Sequence, residues 1–115
     1  MTTTVYGIKN CDTVRKACKW LDAAAITYQF HDFRSSGIST TKLKAWLNAL
    51  GSDVLINRRS TTWKQLSEKQ REEINRGDGN LIILANPTLI KRPVIEHNGK
   101  VYNGFNSDKY NDIFK

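Results

Sequence analysis

The first 33 residues place a predicted helix between two predicted strands, and this pattern restricts the fold more than any other feature of the chain. Residues 3–8 are β-branched and aromatic, which favours a strand. Apolar residues at three- and four-residue spacing then predict a helix over residues 14–25, with Asp12 or Thr13 as its cap. Residues 26–33 alternate in polarity, as a half-buried strand does. One helix between two such strands predicts a parallel unit with a right-handed crossover, and therefore an α/β fold.

The middle of the chain is predicted to be mostly helical. One helix begins at a cap within residues 39–41 and ends at Gly51, and a further helix covers residues 66–76. Residues 81–84 favour a buried strand by propensity, but a short apolar run before Pro87 also fits the last turns of a packed helix.

The last part of the chain predicts a β-hairpin and a short helix. The Asn98-Gly99 pair is typical of a tight hairpin turn, with strands at residues 93–96 and 101–102. Residues 108–114 predict a terminal helix.

Length and composition restrict the class of protein. The chain has 115 residues, which suits one domain, and 39% hydrophobic with 25% charged residues is typical of a globular protein. The longest apolar run, residues 81–85, is far shorter than the roughly 20 residues of a membrane-spanning helix, and the first residues lack the apolar core of a signal peptide. We therefore expect a cytoplasmic protein without a membrane partner.

The charge of the chain is basic, with 18 Lys and Arg against 11 Asp and Glu and a formal net charge of +7. This balance suits nucleic acid, anionic small molecules or solubility alone. No five like charges occur in a row, and the basic residues do not alternate with aromatic ones, so we do not expect a nucleic-acid partner. Two cysteines and two widely spaced histidines give no zinc-type ligand pair, so we expect no metal site.

Cys11 lies between the first predicted strand and the first predicted helix. Backbone N–H groups and the helix dipole converge at such a position, where they favour a thiolate and also suit a bound anion. The alternative is a small residue in a turn. Cys18 lies on the apolar stripe of the helix, about 10 Å further along it, so we interpret it as a core residue without a disulfide to Cys11. Val14 occupies the second position of a Cys-x-x-Cys pair, so redox chemistry here would use one cysteine and an external thiol.

Two basic clusters lie outside the predicted helices, at Arg58-Arg59 and at residues 91–93. Arginine binds oxyanions and carboxylates through parallel donors, so either cluster suits such a ligand, and solvated surface charge is the alternative. Chemistry alone accepts either Arg58 or Arg59. We interpret His31 as a surface or edge residue and His97, at the hairpin tip, as exposed to solvent.

Four segments in this order resemble the family that comprises the arsenate reductases (ArsC), the Spx regulators and the YffB proteins, with the greatest similarity to the YffB branch. The resemblance covers essentially the whole chain and is carried by residues 5–13, 59–63, 87–95 and 104–105. It implies a thioredoxin-like α/β fold for residues 1–115 as a single domain. It also implies a helical insertion at about residues 36–86, between the N-terminal strand–helix–strand unit and the C-terminal hairpin, in which residues 81–85 are helical.

The resemblance also implies the roles of individual residues. Cys11 matches the reactive cysteine of the family. Arg59 and Arg92 match two arginines that hold the oxyanion in the arsenate reductases. Pro93 matches the cis-proline that faces the thiol in thioredoxin-like folds.

From these roles we expect a glutathione-dependent thiol/disulfide reductase. Glutathione is its co-substrate, glutaredoxin is a further candidate partner, and no tightly bound cofactor is expected. Candidate residues for binding glutathione or an oxyanion are Lys9, Asn10, Arg59, Arg92 and Pro93.

Two alternatives stay open. Arsenate reductases have a third arginine in the C-terminal segment, whereas this chain has no arginine after Arg92. A Spx-like regulator would bind RNA polymerase without catalysis, and Gly51 falls in the region that such regulators use for contact. Their usual Cys-x-x-Cys switch is missing here because Val14 takes the second position.

Overall fold

In the computed structural model, which describes residues 2–115, four strands form one mixed sheet. The strands are β1 (Thr3–Gly7), β2 (Gln29–Asp32), β3 (Val94–His97) and β4 (Lys100–Asn103), and their order is β2-β1-β3-β4. β1 runs parallel to β2 and antiparallel to β3, and β3 runs antiparallel to β4. The predicted parallel crossover and hairpin are therefore confirmed, and the sheet is that of a thioredoxin-like α/β fold.

Helices make up most of the remaining chain. They are α1 (Asp12–Ala23), α2 (Phe33–Ser36), α3 (Thr40–Leu50), α4 (Ser52–Leu55), α5 (Thr61–Gln65), α6 (Glu68–Asn75), α7 (Asn80–Ala85) and α8 (Ser107–Phe114), with a 3-10 turn at Pro87–Leu89. None of these described helices is long and apolar enough to cross a membrane.

The chain divides into two compact units. The sheet unit contains the residues up to Phe33 together with Arg92–Lys115, and the helical unit contains Arg34–Lys91. The helical unit encloses residues 36–86, for which the resemblance implies a helical insertion. That residues 1–115 behave as a single domain stays a prediction.

The core of the sheet unit joins the central strands to α1 and α8. Cys18, which we interpreted as a core residue, is only partly buried, and it packs against this core together with Trp20 of α1. The fully buried members of this core are Val5, Ala17, Leu21, Ile95 and Tyr110.

The beginning of α1 differs from the sequence prediction. Cys11, rather than Asp12 or Thr13, is the N-cap residue, with extended backbone angles of φ −110° and ψ 124°. The Asp12 carboxylate instead accepts a hydrogen bond of 2.6 Å from Arg15, so it is not used for capping. The helix consequently starts directly at the candidate nucleophile.

The second strand is shorter than predicted. It begins at Gln29 rather than at Ile26, because Ala25 takes a left-handed conformation (φ 57°) and the Ile26 N–H bonds back to the Leu21 carbonyl. At its other end, Phe33 already belongs to α2.

Of the predictions for the two histidines, one is confirmed and one is wrong. His31 lies in β2, at the edge of the sheet, as interpreted from the sequence. The prediction that His97 is exposed is wrong. It lies in β3 before the tip, its Nδ1 is 2.7 Å from the Thr3 hydroxyl, and its ring packs 4.6 Å from that of Phe114. The tip itself is Asn98-Gly99, with φ 52° and 78°, as the hairpin prediction requires.

The helical unit confirms the predicted boundaries of α3. The Ser39 hydroxyl accepts from the Lys42 N–H at 3.1 Å, and Gly51 ends the helix with φ 80°. In α7 the strand propensity of the apolar run is overridden, as the resemblance implied. Ile83 is buried whereas Leu81 is 80% exposed. Residues two apart lie on nearly opposite sides of a helix but on the same face of a strand, so the different burial of these two residues fits a surface helix and not a strand.

Candidate functional site

Cys11 lies in a tight connection between β1 and α1. Its N–H donates to the Ile8 carbonyl at 3.2 Å, and its own carbonyl accepts from the Arg15 N–H at 3.0 Å. The two residues before it, Lys9 and Asn10, are exposed in this turn. The backbone on both sides of the thiol is therefore held by hydrogen bonds.

Close packing of Gly7 brings the helix up to the strand end. A Cβ atom at this position would lie 2.8 Å from Val14 Cγ2, closer than real Cβ contacts allow. Only glycine therefore lets the first turn of α1 pack this near to β1, and this approach places Cys11 just beyond the carboxyl end of β1.

The helix N-terminus at Cys11 is positively polarised. α1 has 12 residues, and no side chain of its N-cap residue accepts a hydrogen bond from the first-turn N–H groups. These free N–H groups and the helix dipole favour negative charge beside the cap. An anionic group of a ligand beside Cys11 would find unused backbone N–H donors there.

Arg92 and Pro93 precede β3, next to the strand that leads to Cys11. Tyr6 is paired with Val94, so continuing this antiparallel register places Pro93 opposite Gly7 and Arg92 opposite Ile8. The Arg92-Pro93 peptide bond is cis, as the resemblance implies, and the Pro93 carbonyl accepts from the Gly104 N–H at 2.8 Å.

Arg92 has hydrogen-bond donors that the protein does not use. Among residues 2–115 no acceptor binds its Nε or Nη1, although both atoms are buried. Leaving a buried donor unsatisfied costs about 1–3 kcal/mol, and more when the group is charged. A carboxylate or oxyanion bound from outside would supply the missing acceptors.

The helical unit contains the other basic cluster, Arg58-Arg59, in the turn before α5. Arg58 Nη2 donates to Asn75 Oδ1 at 2.6 Å, and the guanidinium lies 5.2 Å from the centre of the Trp63 ring. Arg59 is exposed, and no group of the helical unit bonds to its guanidinium. Of the two arginines, Arg59 is therefore the one available to a ligand.

The predicted site residues divide between the two units. Arg59 belongs to the helical unit. The sheet unit brings the others to one end of β1 and β3, namely Lys9, Asn10, Cys11, Arg92 and Pro93.

Sequence reasoning missed the environment of Cys18. Burial raises the pKa of Tyr28 above its usual value near 10, and so do the neighbouring side chains of Cys18 and Asp22. Cys18 thus lies beside a tyrosine, whereas Cys11 lies at a helix N-terminus where its own side chain makes no capping bond. No sequence signal pairs Cys18 with Tyr28, because Cys18 lies in α1 and Tyr28 lies in the connection just before β2.

Comparison with known proteins shows the family of this chain. A model of the ArsC family matches residues 6–113. An uncharacterised protein of Haemophilus influenzae is 45% identical over 111 residues, which are 96% of this chain and 97% of the relative. A global transcriptional regulator Spx of Streptococcus pyogenes is 30% identical over 108 residues, 92% of this chain and 80% of the regulator. Among solved structures, a YffB protein with 38% identity matches with a TM-score of 0.93 over 99% of this chain and 100% of its own. The chain therefore belongs to the ArsC family.

Proposed function

We propose that the protein is a thiol/disulfide oxidoreductase that uses Cys11 as its single nucleophile and glutathione as its reductant. The observation that carries the proposal is the pair of buried, unpartnered Arg92 donors, at the strand end that lies next to the Cys11 turn. A nucleophilic thiol at a helix N-terminus and an arginine that lacks an acceptor are what an anionic thiol substrate requires. Membership of a family named after arsenate reductases supports the same chemical class.

The reaction consists of two thiol–disulfide exchanges. The Cys11 thiolate attacks one sulfur of a substrate disulfide, forms a mixed disulfide with it, and releases the other sulfur as a thiolate that takes up a proton. A glutathione thiolate then attacks the substrate sulfur of the mixed disulfide and releases Cys11 as the thiolate. When that substrate half is itself glutathione, the second step yields glutathione disulfide.

The basic residues would bind the carboxylates of glutathione. Arg92 supplies its unused donors just before β3, and Lys9 and Asn10 lie exposed in the turn that precedes the thiol. Arg59 is the candidate from the helical unit, since Arg58 is already bound to Asn75. Glutaredoxin would act in the second step as an alternative source of the attacking thiolate.

Replacement of the two cysteines tests this proposal. With the mixed disulfide of glutathione and 2-mercaptoethanol as substrate, we expect Cys11→Ser to abolish turnover and Cys18→Ser to retain most of it. Mass spectrometry of the wild type after exposure to glutathione disulfide should show one glutathionyl group, located on Cys11. Turnover by Cys11→Ser, or modification of Cys18 instead, would exclude the mechanism.

A transcriptional regulator is the second candidate, because the Spx regulator aligns with 92% of this chain. Gel filtration with purified RNA polymerase distinguishes the two functions. Co-elution that is unchanged in Cys11→Ser, without any turnover by the wild type, would favour the regulator. Separate elution together with turnover would favour the reductase.

Arsenate reduction is a variant of the first candidate. We expect little reduction of arsenate in the presence of glutathione, because no arginine follows Arg92 in this sequence. Arsenate turnover comparable to disulfide turnover would instead identify arsenate as a substrate.

A further inference from the structure

We propose that Arg58 and Asn75 form a positioning pair that fixes the turn from which Arg59 binds the anionic substrate. The inference rests on the proposed function, because it assumes that Arg59 contributes to substrate binding. It assigns a role to two residues that do not themselves touch the substrate.

Arg58 makes three contacts that differ in strength. Its Nη2 donates to Asn75 Oδ1 at 2.6 Å, at the last residue of α6, and its guanidinium stacks on Trp63. The third contact, 3.3 Å to Asp53, involves a carboxylate that is 94% exposed, so water and salt weaken it. The hydrogen bond to Asn75 is exposed as well, but it is shorter and its acceptor is neutral, so salt screens it less, and it is the main polar restraint on Arg58.

The backbone around Arg59 is restrained at consecutive residues. The Asn57 N–H donates to the Leu89 carbonyl at 2.8 Å, and Asn57 Oδ1 accepts from the Arg59 N–H at 3.1 Å. The Ser60 hydroxyl donates to the Asn57 carbonyl at 2.8 Å and accepts from the Trp63 N–H at 3.1 Å. With Arg58 bound to Asn75, Arg59 is the residue of this turn whose side chain stays available.

The helix that follows has its own restraint, which is independent of Arg58. Arg71 donates from Nε to the Trp63 carbonyl at 3.1 Å and from Nη2 to the Lys64 carbonyl at 2.7 Å. These bonds hold the end of α5 against α6 when Asn75 is changed. Loss of the Arg58–Asn75 bond should therefore loosen the turn without unfolding the helix.

A loose turn weakens substrate binding because the backbone that carries Arg59 must then be ordered during binding. Ordering one side chain or a short piece of loop at a binding site costs about 0.5–1.5 kcal/mol, which corresponds to a roughly 2- to 12-fold change in affinity. A chain that is already ordered avoids this cost, so the positioning pair should affect KM for glutathione more than kcat.

The test compares Arg58→Met, Asn75→Ala and the double variant in steady-state kinetics with glutathione as the varied substrate. We expect each single change to raise KM by about 2- to 12-fold with kcat nearly unchanged. The KM of the double variant should not exceed that of the more affected single variant, since both changes remove the same hydrogen bond. The matched control is Arg76→Ala, the neighbour of Asn75, whose contact with Asp78 is 4.0 Å long and exposed, and it should leave KM unchanged.

A second comparison uses Arg59→Met. Addition of Asn75→Ala to this variant should raise KM no further, because the positioned group is gone. If the single changes lower the melting temperature but leave KM unchanged, the pair is merely structural and the inference is wrong. If Arg59→Met is as active as the wild type while Cys11→Ser is inactive, the positioning role fails and the reductase stands. Turnover by Cys11→Ser overturns both proposals.

Discussion

Arg92 carries a cost to folding and, in the proposed function, a role in substrate binding. Two of its nitrogen atoms are buried without an acceptor in the described part of the chain. Its neighbour Pro93, by contrast, has its carbonyl bonded to the Gly104 N–H. A residue that leaves charged donors unsatisfied destabilises the folded chain, and such residues persist where a ligand completes their hydrogen bonds. A change at Arg92 that removes the unsatisfied donors should therefore favour folding and weaken substrate binding.

Arg92→Met tests this opposition. We expect the free energy of unfolding to stay the same or rise by about 1 kcal/mol, because methionine keeps the packing of the stem and removes the unsatisfied donors. KM for glutathione should rise more than about tenfold, the loss of roughly one charge-assisted hydrogen bond. Urea denaturation and steady-state kinetics on the same preparation measure both quantities. Marked destabilisation with unchanged KM would show that Arg92 serves folding.

The junction of β1 and α1 determines where the thiol is presented. Gly7 ends the strand, and Val14 occupies the first turns of the helix and is buried. The methyl groups of Val14 fill the space where a side chain at position 7 would lie. The helix start at Cys11 therefore depends on two residues that have no chemistry of their own.

Gly7→Ala should push α1 away from the strand and destabilise the protein by about 1–3 kcal/mol, the usual cost of overpacking. The rate of Cys11 alkylation at neutral pH should change with it, because the thiol moves relative to the first-turn N–H groups. In a Val14→Ala background the same substitution should cost clearly less, since the obstructing methyl groups are absent. Additive effects in the double variant would contradict the steric explanation.

The C-terminal helix, α8, packs against both segments of the chain that form the sheet unit. Tyr110 of α8 is 2% exposed, its hydroxyl donates to the Gly104 carbonyl at 2.7 Å, and its ring packs 5.4 Å from Trp20 of α1. Burial, and to a smaller extent the nearby Cys18, raises the pKa of Tyr110 above the ordinary value of 10.0. The folded chain therefore keeps the hydroxyl proton at a pH where the unfolded chain releases it.

This difference predicts a loss of stability in alkali. Below about pH 10 the hydroxyl is protonated in both states, and the stabilisation is fully present. As the pH rises above 10, the unfolded state loses the proton first, so the free energy of unfolding falls.

Tyr110→Phe should lower the free energy of unfolding by about 1 kcal/mol at neutral pH through the lost hydrogen bond, yet show a shallower fall above pH 10. Urea denaturation at several pH values measures the slope, and an unchanged slope in Tyr110→Phe would contradict this assignment. Tyr28, whose pKa is also raised, contributes to the slope that remains.

Short-range features of the chain were predictable from the sequence alone. The Ser39 cap and the Gly51 end of α3, the Asn98-Gly99 turn and the parallel strand–helix–strand unit all follow from neighbouring residues, and each is observed. Resemblance to the family added the helical state of α7 and the cis bond before Pro93. The position of Cys11 at a strand end was also predictable, although its role as the cap residue was not.

The remaining features were decided by contacts between residues far apart in the chain. His97 is covered because Thr3, 94 positions earlier, bonds to its ring. Arg59 is favoured over Arg58 by the resemblance, and the structure adds the physical reason that Asn75, 17 positions after Arg58, accepts the hydrogen bond of Arg58. The sequence determined the local backbone and the candidate nucleophile, because turns, caps and periodicity act within a few residues. Only the tertiary structure decided which polar groups find partners and which are left for a ligand, because burial and hydrogen bonding depend on what the folded chain brings next to each atom.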